Sequence, residues 1–224
     1  MRPPLMIFAA GQGLRMRPLT DTRPKPLIKL AGQTLLDRAL AMAREAGAGP
    51  VVVNTHYMGD QIAAHLKGQD VTISHEPGPV LDTGGGLRNA LPLLGAGPVM
   101  TLNPDVVWTG PNPLTALIGA WRDHMDALLA LVPLRQATAR LGAGDFSLDP
   151  QGRIGRKGDF VYCGAQIVRT ERLAEIADQV FSLNRLWDLL IADGRAHGMI
   201  HPGGWSDVGR PESIPLAEAM LANV

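Results

Sequence analysis

The sequence predicts an α/β fold, with a Rossmann-like, doubly wound and mostly parallel sheet and a small lobe beside it. Short apolar runs alternate with helical patterns as far as Pro133, and shorter strands with Gly- and Asp-containing turns follow. A chain of 224 residues with 46% hydrophobic content can bury one core. We therefore expect one domain over residues 1–224, with a core at 1–133 and a lobe at 134–224 that ends in a closing helix.

The first half has the pattern of repeated strand–helix–strand units. The apolar run at 5–8 predicts a strand, and the pattern at 35–46, which Gly47 ends, predicts the first helix. The pair Asn112-Pro113 predicts a helix start, because proline is favoured at the first helical position. The other elements predicted here are strands at 51–54, 71–74, 99–102 and 127–132 and helices at 59–66 and 86–91, with the helix at 113 running to about residue 124.

The second half has shorter elements between turns. The predicted strands are 146–148, 153–154, 160–168 and 199–201, and the predicted helices are 172–177, 186–192 and 211–222. The sequence has no internal repeat and no hexapeptide repeats, so we expect no C-terminal β-helix.

The charge balance and the single cysteine exclude several classes of function. Twenty-one cations balance twenty-one anions, so no global basic field exists to recruit nucleic acid, and any cationic site must act locally. The one cysteine, Cys163, excludes an internal disulfide and a thiolate-rich metal site and suits a reducing cytoplasm. No apolar stretch approaches the ~18 residues of a membrane span, so we expect a cytoplasmic protein without a membrane partner.

A glycine-rich segment with fixed cations directly follows the first predicted strand. It reads AAGQGLRMRPLT, and Lys25 stands between two prolines shortly afterwards. Gly11 and Gly13 allow backbone N–H groups to approach an anion, while Arg15 and Lys25 add positive charge. The spacing is not that of a P-loop, and Met16 stands where a dinucleotide fingerprint needs glycine. These features predict a polyphosphate site and argue against an NAD-dependent dehydrogenase.

Three further motifs follow in a fixed order along the chain. They are Leu81-Asp82-Thr83-Gly84-Gly85-Gly86, Asn103-Pro104-Asp105-Val106 and Trp205-Ser206-Asp207-Val208-Gly209. Together with the glycine-rich segment, they resemble the motifs of the sugar-phosphate nucleotidyltransferases over nearly the whole chain. The resemblance implies transfer of a nucleotidyl group from an NTP to a sugar 1-phosphate, with Mg²⁺ as cofactor and pyrophosphate as the second product.

The resemblance also implies the roles of individual residues. Asp105 follows a buried-looking strand, so it should project from the carboxyl end of the sheet, where a carboxylate suits Mg²⁺. From the residues alone, a turn-forming Asp105 and a solvated Asp207 remain alternatives. The implied catalytic residues are Arg15, Lys25 and Asp105; the metal ligands are Asp105 and Asp207; the nucleotide-binding residues are Ala9, Ala10, Gly11, Gly13, Asp82, Thr83, Gly84 and Gly85; and the sugar-phosphate-binding residues are Asn103, Gly144, Asp145 and Gly164.

The chain departs from the family pattern at several positions. Pro104 stands where relatives have glycine, which fixes φ and removes an N–H in the expected metal loop. Arg156-Lys157 replaces a Glu-Lys pair, and these cations would either meet an acidic acceptor or form a solvated turn. The other departures are Phe8 for leucine, Glu76-Pro77-Gly78 where many relatives read the base with glutamine, and Arg210 for threonine before the last helix.

The substrates are less sharply predicted than the reaction. Within the family, the compact length, the Leu-Asp-Thr-Gly-Gly-Gly form and the Gly144-Asp145-Phe146 segment favour UTP and N-acetylmuramic acid 1-phosphate, a pair used in bacterial cell-wall recycling. Mannose 1-phosphate with GTP, glucose 1-phosphate with dTTP or UTP, and a choline-type phosphate with CTP remain alternatives. An alternative of another class is a regulatory module that binds nucleotide without catalysis, which Pro104 and Arg210 would explain.

Overall fold

The computed structural model describes residues 2–223 and confirms the α/β fold. Its strands are β1 Leu5–Phe8, β2 Lys29–Leu30, β3 Gln33–Thr34, β4 Val51–Thr55, β5 Thr72–His75, β6 Val99–Leu102, β7 Val106–Trp108, β8 Ala127–Pro133, β9 Ala137–Thr138, β10 Gly144–Leu148, β11 Ile154–Gly158, β12 Phe160–Val168, β13 Ala196–Ile200 and β14 Trp205–Asp207. Its α-helices are α1 Leu35–Glu45, α2 Gly59–Leu66, α3 Asp82–Leu94, α4 Pro113–Ala120, α5 Asn184–Ala192 and α6 Ser213–Ala222.

The first half of the sheet is parallel, as the alternation of strands and helices predicts. Strands β5, β4, β1 and β6 lie side by side in that order. Successive residues of β1 point to opposite faces, so Leu5 and Ile7 pack with α1, α2 and α4 in one hydrophobic cluster. Met6 belongs to a second cluster with α3 and α5. Helices therefore cover both faces, which explains why these strands are almost continuously apolar.

The strands after Pro133 complete the same sheet, mainly by antiparallel pairing. β12 lies between β6 and β8 and is antiparallel to both, while β13 adds in parallel to the other side of β8. The β10–β11 hairpin pairs with the beginning of β12, and the whole sheet has nine strands. Pairing of β12 with β8 is irregular between Tyr162 and Gln166, where Gly164 has a φ of 87°. The division into core and lobe at residue 133 stays a prediction.

A second sheet of three strands, β7-β14-β9, is absent from the sequence prediction. Its strands have two or three residues each, which is too short to show a period. β14 is antiparallel to β7, with Asp207 opposite Val106, and parallel to β9. The Val208 N–H donates a 2.9 Å hydrogen bond to the Asp105 carbonyl oxygen. This sheet therefore joins the β6–β7 loop to β14 and brings Asp105 towards Asp207.

Helix α3 begins at Asp82, earlier than the predicted start at Gly86. The sequence 84–86 is Gly-Gly-Gly, which suggests a flexible turn, yet all three glycines are helical and buried. Close packing explains them, because Gly84 and Gly85 lie against the segment before α5 and Gly86 lies against buried side chains at the ends of the neighbouring strands. A Cβ at Gly84 would overlap the Phe181 ring, and a Cβ at Gly85 would lie 2.5 Å from the Gln179 carbonyl oxygen.

The other helices are short and close to their predicted positions. α4 ends at Ala120 rather than near residue 124, because Trp121 turns into an extended conformation and is buried, only 8% exposed. The helix predicted at 172–177 is a 3-10 helix at Glu171–Glu175. The longest helix, α3, has 13 residues, and no helix within 2–223 combines the length and apolar character needed to cross a membrane.

Cys163 lies in β12 and is a free, fully buried thiol. Burial raises the pKa of this thiol, and the negative charge of Asp145 acts in the same direction. A thiol that stays protonated is a poor nucleophile and a poor metal ligand. Cys163 is thus a small core residue of the first hydrophobic cluster.

Candidate active site

A cleft of about 510 Å³ opens at the carboxyl ends of β1 and β6. Open α/β sheets bind their ligands at this edge. Three segments supply most of the lining: the glycine-rich loop after β1, the start of α3 with the residues before it, and the β6–β7 loop. The lining residues are Phe8, Ala9, Ala10, Gly11, Gln12, Gly13, Leu14, Arg15, Met16, Lys25, Pro26, Asn54, Glu76, Val80, Asp82, Thr83, Asn103, Pro104, Asp105 and Gly209.

Gly13 shapes the glycine-rich loop. Its φ of 64° lies in the left-handed region, and an added Cβ would lie 3.0 Å from Cβ of Lys25 and 3.0 Å from Cγ2 of Thr20. Oγ1 of Thr20 also donates a 2.9 Å hydrogen bond to the Gly13 carbonyl oxygen. The loop is thus closed against the segment that carries Lys25, so Arg15 and Lys25 reach the same cleft.

A buried chain of hydrogen bonds joins the two walls of the cleft. The Ala9 N–H donates to Oδ1 of Asn54 over 2.7 Å, and Nδ2 of Asn54 donates to Oε1 of Glu76 over 2.7 Å. Oε2 of Glu76 accepts from the Leu81 N–H over 3.1 Å. Glu76 and Asn54 are 1% and 3% exposed. Gly86 leaves room for this chain, since a Cβ there would lie 2.8 Å from Oε1 of Glu76.

Lys25 and Asp105 line one side of the cleft. Asp207 is not among the lining residues, but it lies beside Gly209, which is. Nζ of Lys25 lies 2.5 Å from Oδ2 of Asp105, and Lys25 is only 9% exposed. Burial raises the pKa of the Asp207 carboxyl above its usual range, and the negative charge of Asp105 adds to this effect. The positive charges of Lys25, Arg15 and Arg140 act on that pKa in the opposite direction. The charge state of Asp207 therefore depends on one neighbouring acid and three neighbouring cations.

The two carboxylates form a donor set that suits Mg²⁺. This ion is commonly held by one or two carboxylates together with waters and substrate phosphates. The raised pKa of Asp207 reflects burial beside a like charge, and a divalent cation would favour the ionised form instead. Residues 2–223 contain no group of three or more His, Cys, Asp or Glu side chains that could hold a metal ion. The Mg²⁺ expectation fits these residues and stays a prediction.

Asn103 and Gly164, both expected to bind the sugar phosphate, lie in contact. The Asn103 N–H donates a 2.7 Å hydrogen bond to the Gly164 carbonyl oxygen. A Cβ at Gly164 would lie 3.0 Å from Cβ of Asn103, and its positive φ also favours glycine. The irregularity in β12 therefore positions Asn103 at the cleft, next to Pro104 and Asp105.

Gly144 and Asp145 begin β10 and do not belong to the lining of the cleft. A Cβ at Gly144 would overlap the Gly158 carbonyl oxygen, so close hairpin pairing explains this glycine. Oδ1 of Asp145 accepts a 2.7 Å hydrogen bond from Nη2 of Arg140, and Oδ2 accepts one of 3.0 Å from the Tyr162 N–H. Asp145 therefore holds other groups in place, and its expected contact with substrate stays a prediction.

The four residues 82–85, expected to bind nucleotide, divide into two pairs. Asp82 and Thr83 line the cleft, with the Thr83 N–H donating to Oδ1 of Asp82 over 2.6 Å. Oγ1 of Thr83 accepts a 3.0 Å hydrogen bond from the Leu183 N–H, which ties α3 to the start of α5. Gly84 and Gly85 pack on the segment before α5 and are not among the lining residues. The nucleotide contacts of all four residues stay predictions.

Arg156 has a structural role in α5 packing. Its Nε donates to Oδ1 of Asp188 over 2.7 Å, and its Nη2 donates to the Asn184 carbonyl oxygen over 2.8 Å. Its guanidinium carbon lies 5.0 Å from the centre of the Phe146 ring. Arg156 therefore links β11 to α5 and does not supply a free cation to the cleft.

Asn54 and Arg140 are absent from the sequence prediction of the site, and Glu76 appears there only as a departure from the family pattern at the base-reading position. Asn54 is a polar residue at the end of an apolar strand, a pattern that marks the binding edge of a parallel sheet and could have indicated it. Arg140 follows a two-residue strand that no periodicity reveals.

The chain resembles known proteins in sequence and in fold. Residues 5–196 match the family described as MobA-like NTP transferase domain. The chain is 38% identical to the N-acetylmuramate alpha-1-phosphate uridylyltransferase of Caulobacter vibrioides, over 97% of this chain and 96% of that protein. It is 36% identical to the same-named protein of Neisseria meningitidis, over 96% of each chain. A crystal structure of UDP-glucose pyrophosphorylase complexed with UDP-glucose superposes with a TM-score of 0.81 at 16% identity, covering 100% of this chain and 99% of that one, a likeness of fold.

Proposed function

Because the chain belongs to the family of MobA-like NTP transferase domains and is a nucleotidyltransferase, we propose that it transfers a nucleotidyl group from an NTP to a sugar 1-phosphate. UTP and N-acetylmuramic acid 1-phosphate are the proposed substrates, and the products are UDP-N-acetylmuramic acid and pyrophosphate. The names of the two relatives that match over nearly their whole length support this pair. The observation that carries the proposal is the meeting of Lys25, Asp105 and Asp207 beside the glycine-rich loop.

The reaction needs alignment and charge neutralisation more than acid–base chemistry. An oxygen of the sugar phosphate attacks the α-phosphorus, a new P–O bond forms, and the bond to the bridging oxygen of the leaving pyrophosphate breaks. The nucleophile is already an anion at neutral pH, so no strong general base and no covalent enzyme intermediate are required. The protein therefore has to bring two polyanions together in line.

The cations and carboxylates of the cleft suit this task. Arg15, on the turn after Gly13, would hold the departing pyrophosphate with its planar guanidinium. Lys25 would contact the bridging phosphates, and its burial strengthens its field because little water screens it. Mg²⁺, held by Asp105 and Asp207, would supply positive charge at the α-phosphate.

Glu76 favours an NTP whose base is uracil, thymine or guanine. As a carboxylate it only accepts hydrogen bonds, and it lines the cleft while two protein N–H groups already fix its orientation. Uracil and thymine offer an N3–H, and guanine offers an N1–H, whereas cytosine and adenine present an unprotonated ring nitrogen at that edge. UTP fits this requirement, and dTTP and GTP remain the alternatives to test.

The proposed activity also gives the protein a cellular setting. UDP-N-acetylmuramic acid is a cell-wall precursor, so we propose a role in peptidoglycan recycling in the cytoplasm of a bacterium. The buried, reduced Cys163 is compatible with that compartment.

Pyrophosphate release with Mg²⁺ tests the proposal directly. UTP, dTTP, GTP, CTP and ATP would each be paired with the 1-phosphates of N-acetylmuramic acid, N-acetylglucosamine, glucose and mannose. We expect the highest kcat/KM for UTP with N-acetylmuramic acid 1-phosphate. Binding of an NTP without release in any pair, also after Pro104→Gly, would instead favour the regulatory module.

A further inference from the structure

Arg140 follows a strand that pairs with the strand carrying Asp207, although its sequence context gives no sign of this and it is not among the residues that line the cleft. It follows β9, whose residues Ala137 and Thr138 pair in parallel with Trp205 and Ser206 of β14. The next residue of β14 is Asp207. Parallel strands that end together present the following residues at the same edge, so the chain delivers Arg140 to the edge that carries Asp207.

The guanidinium of Arg140 is fixed on one side and available on the other. Its Nη2 donates to Oδ1 of Asp145, and Asp145 is itself held by the Tyr162 N–H. Its Nε is buried and has no hydrogen-bond partner within residues 2–223. The donor that can reach a ligand is Nη1, which is not buried and makes no hydrogen bond within the described residues, and the side chain as a whole is 31% exposed. An arginine that is oriented by a carboxylate and still has an unused donor is prepared to bind an anion.

The charges of the substrates indicate which anion this would be. The other cations at this edge, Arg15 and Lys25, are the ones proposed to hold the triphosphate, and Lys25 already contacts Asp105. A sugar 1-phosphate brings a phosphate of its own. N-acetylmuramic acid differs from N-acetylglucosamine by a lactyl ether on C3, which adds a carboxylate. The acceptor side of the site thus needs a cation, and Arg140 stands two residues after the strand that pairs with β14.

We propose that Arg140 binds an oxyanion of the acceptor sugar, either its phosphate or its carboxylate, and that Asp145 is the positioning residue for Arg140. This inference rests on the proposed function, since it assigns the acceptor subsite of the same reaction. It adds a binding residue that the family motifs do not contain, and it gives Asp145 an indirect role.

The test compares Arg140→Ala with Arg135→Ala, which removes the same charge from an exposed position earlier in the same segment. The KM of each acceptor is measured with N-acetylmuramic acid 1-phosphate and with N-acetylglucosamine 1-phosphate, and the KM of UTP is measured alongside. Arg140→Ala should raise the acceptor KM about tenfold or more, as expected for a lost charge-assisted hydrogen bond, and leave the KM of UTP nearly unchanged. Arg135→Ala should change neither.

The two acceptors distinguish the two sources of the anion. An equal loss with both acceptors would assign Arg140 to the phosphate, and a loss confined to N-acetylmuramic acid 1-phosphate would assign it to the carboxylate. Unchanged acceptor KM values for a folded Arg140→Ala protein would overturn the proposal. Asp145→Asn should raise the same acceptor KM to a smaller degree, whereas a purely structural role would lower the unfolding temperature and leave the KM unchanged.

Direct binding separates this inference from the proposed function. Calorimetric titration of each acceptor into wild-type and Arg140→Ala protein needs no turnover. If no substrate pair reacts but the affinity for an acceptor falls in Arg140→Ala, the proposed function fails and the assignment of Arg140 stands. If wild-type protein binds neither acceptor, or the variant binds both equally well, the assignment fails.

Discussion

Lys25 shows how a single residue acquires its effect from its surroundings. Its stem is buried between the glycine-rich loop and the cleft, and its amino group ends 2.5 Å from Asp105. A charge with little water around it acts more strongly on a nearby phosphate than a surface lysine does. The sequence could predict Lys25 and the two aspartates because each stands in a motif. For Asn54 it offers only a polar residue at the end of an apolar strand, and the partners of this side chain are set by the pairing of β1, β4 and β5.

Lys25→Ala and Asp105→Asn should each lower kcat about a hundredfold or more, because Lys25 is proposed to neutralise charge on the reacting phosphates and Asp105 is proposed to hold the Mg²⁺ that does the same. The rate of pyrophosphate release measures this, and circular dichroism confirms that the variants are folded. The matched control is Lys29→Ala, which removes a lysine that is exposed on β2. Either variant retaining half of the wild-type rate would refute the assigned roles.

Asp207→Asn should raise the thermal unfolding temperature at neutral pH while it abolishes turnover. The raised pKa means that folding disfavours the ionised carboxyl, so this group lowers stability as the pH rises from its unfolded pKa through its folded pKa. An asparagine side chain does not ionise, so the variant does not lose stability as the pH rises through this range. Its advantage should shrink towards acid pH, where the wild-type carboxyl is protonated in both states.

The pH dependence of this difference between wild type and Asp207→Asn supplies the check. A variant that is less stable than wild type at neutral pH would contradict the raised pKa. Mg²⁺ with UTP should increase the unfolding temperature of the wild type and have little effect on Asp207→Asn, since a ligand stabilises only the state that binds it.

Among the elements, the start of α3 and the short strands β7, β9 and β14 could not be predicted from the sequence. Alternating apolar runs located the strands of the parallel sheet and most helices to within a few residues. The run of three glycines predicted a turn instead of the first turns of α3. Two of these glycines are required by contacts with residues distant in sequence, Gln179 and Phe181, which no local pattern reveals. The strands β7, β9 and β14 exist through their mutual pairing and have no pattern of their own.

Gly85→Ala and Gly119→Ala should change stability in opposite directions. Both glycines are helical, and alanine is intrinsically better in a helix by about 1 kcal/mol. A Cβ at Gly119 meets nothing within 4 Å, so this variant should be neutral or slightly more stable. At Gly85 the Cβ would lie 2.5 Å from the Gln179 carbonyl oxygen, and we expect a loss of roughly 1–3 kcal/mol.

Urea unfolding of both variants measures the difference. Equal stabilisation in the two variants would mean that α3 does not pack on the 179–181 segment as described. The activity of Gly119→Ala should remain at the wild-type level, because α4 lies outside the lining of the cleft.

At the scale of the whole molecule, the cleft depends on segments that are far apart in the chain. The glycine-rich loop, β4, the end of β5 and the start of α3 are connected by the chain of buried hydrogen bonds through Asn54 and Glu76. The two hydrophobic clusters hold the sheet between helices and keep this edge in shape. A change in Glu76 should therefore affect both base recognition and the spacing of the walls.

Glu76→Gln should reduce the preference for UTP over CTP by about tenfold, since an amide can donate to the ring nitrogen of cytosine where a carboxylate cannot. The ratio of kcat/KM for the two nucleotides measures this. Glu171→Gln, at an exposed position of the 3-10 helix, is the matched control. An unchanged ratio would show that Glu76 does not contact the base.

The position of β14 in the chain has a consequence for synthesis on the ribosome. Every strand of the nine-stranded sheet precedes Asp207, so a nascent chain can pair them all while it still lacks the second carboxylate. β14 then adds last, between β7 and β9, and supplies Asp207. The growing chain therefore cannot assemble the paired carboxylates until this final strand emerges, and the proposed metal site would be missing from an unfinished product.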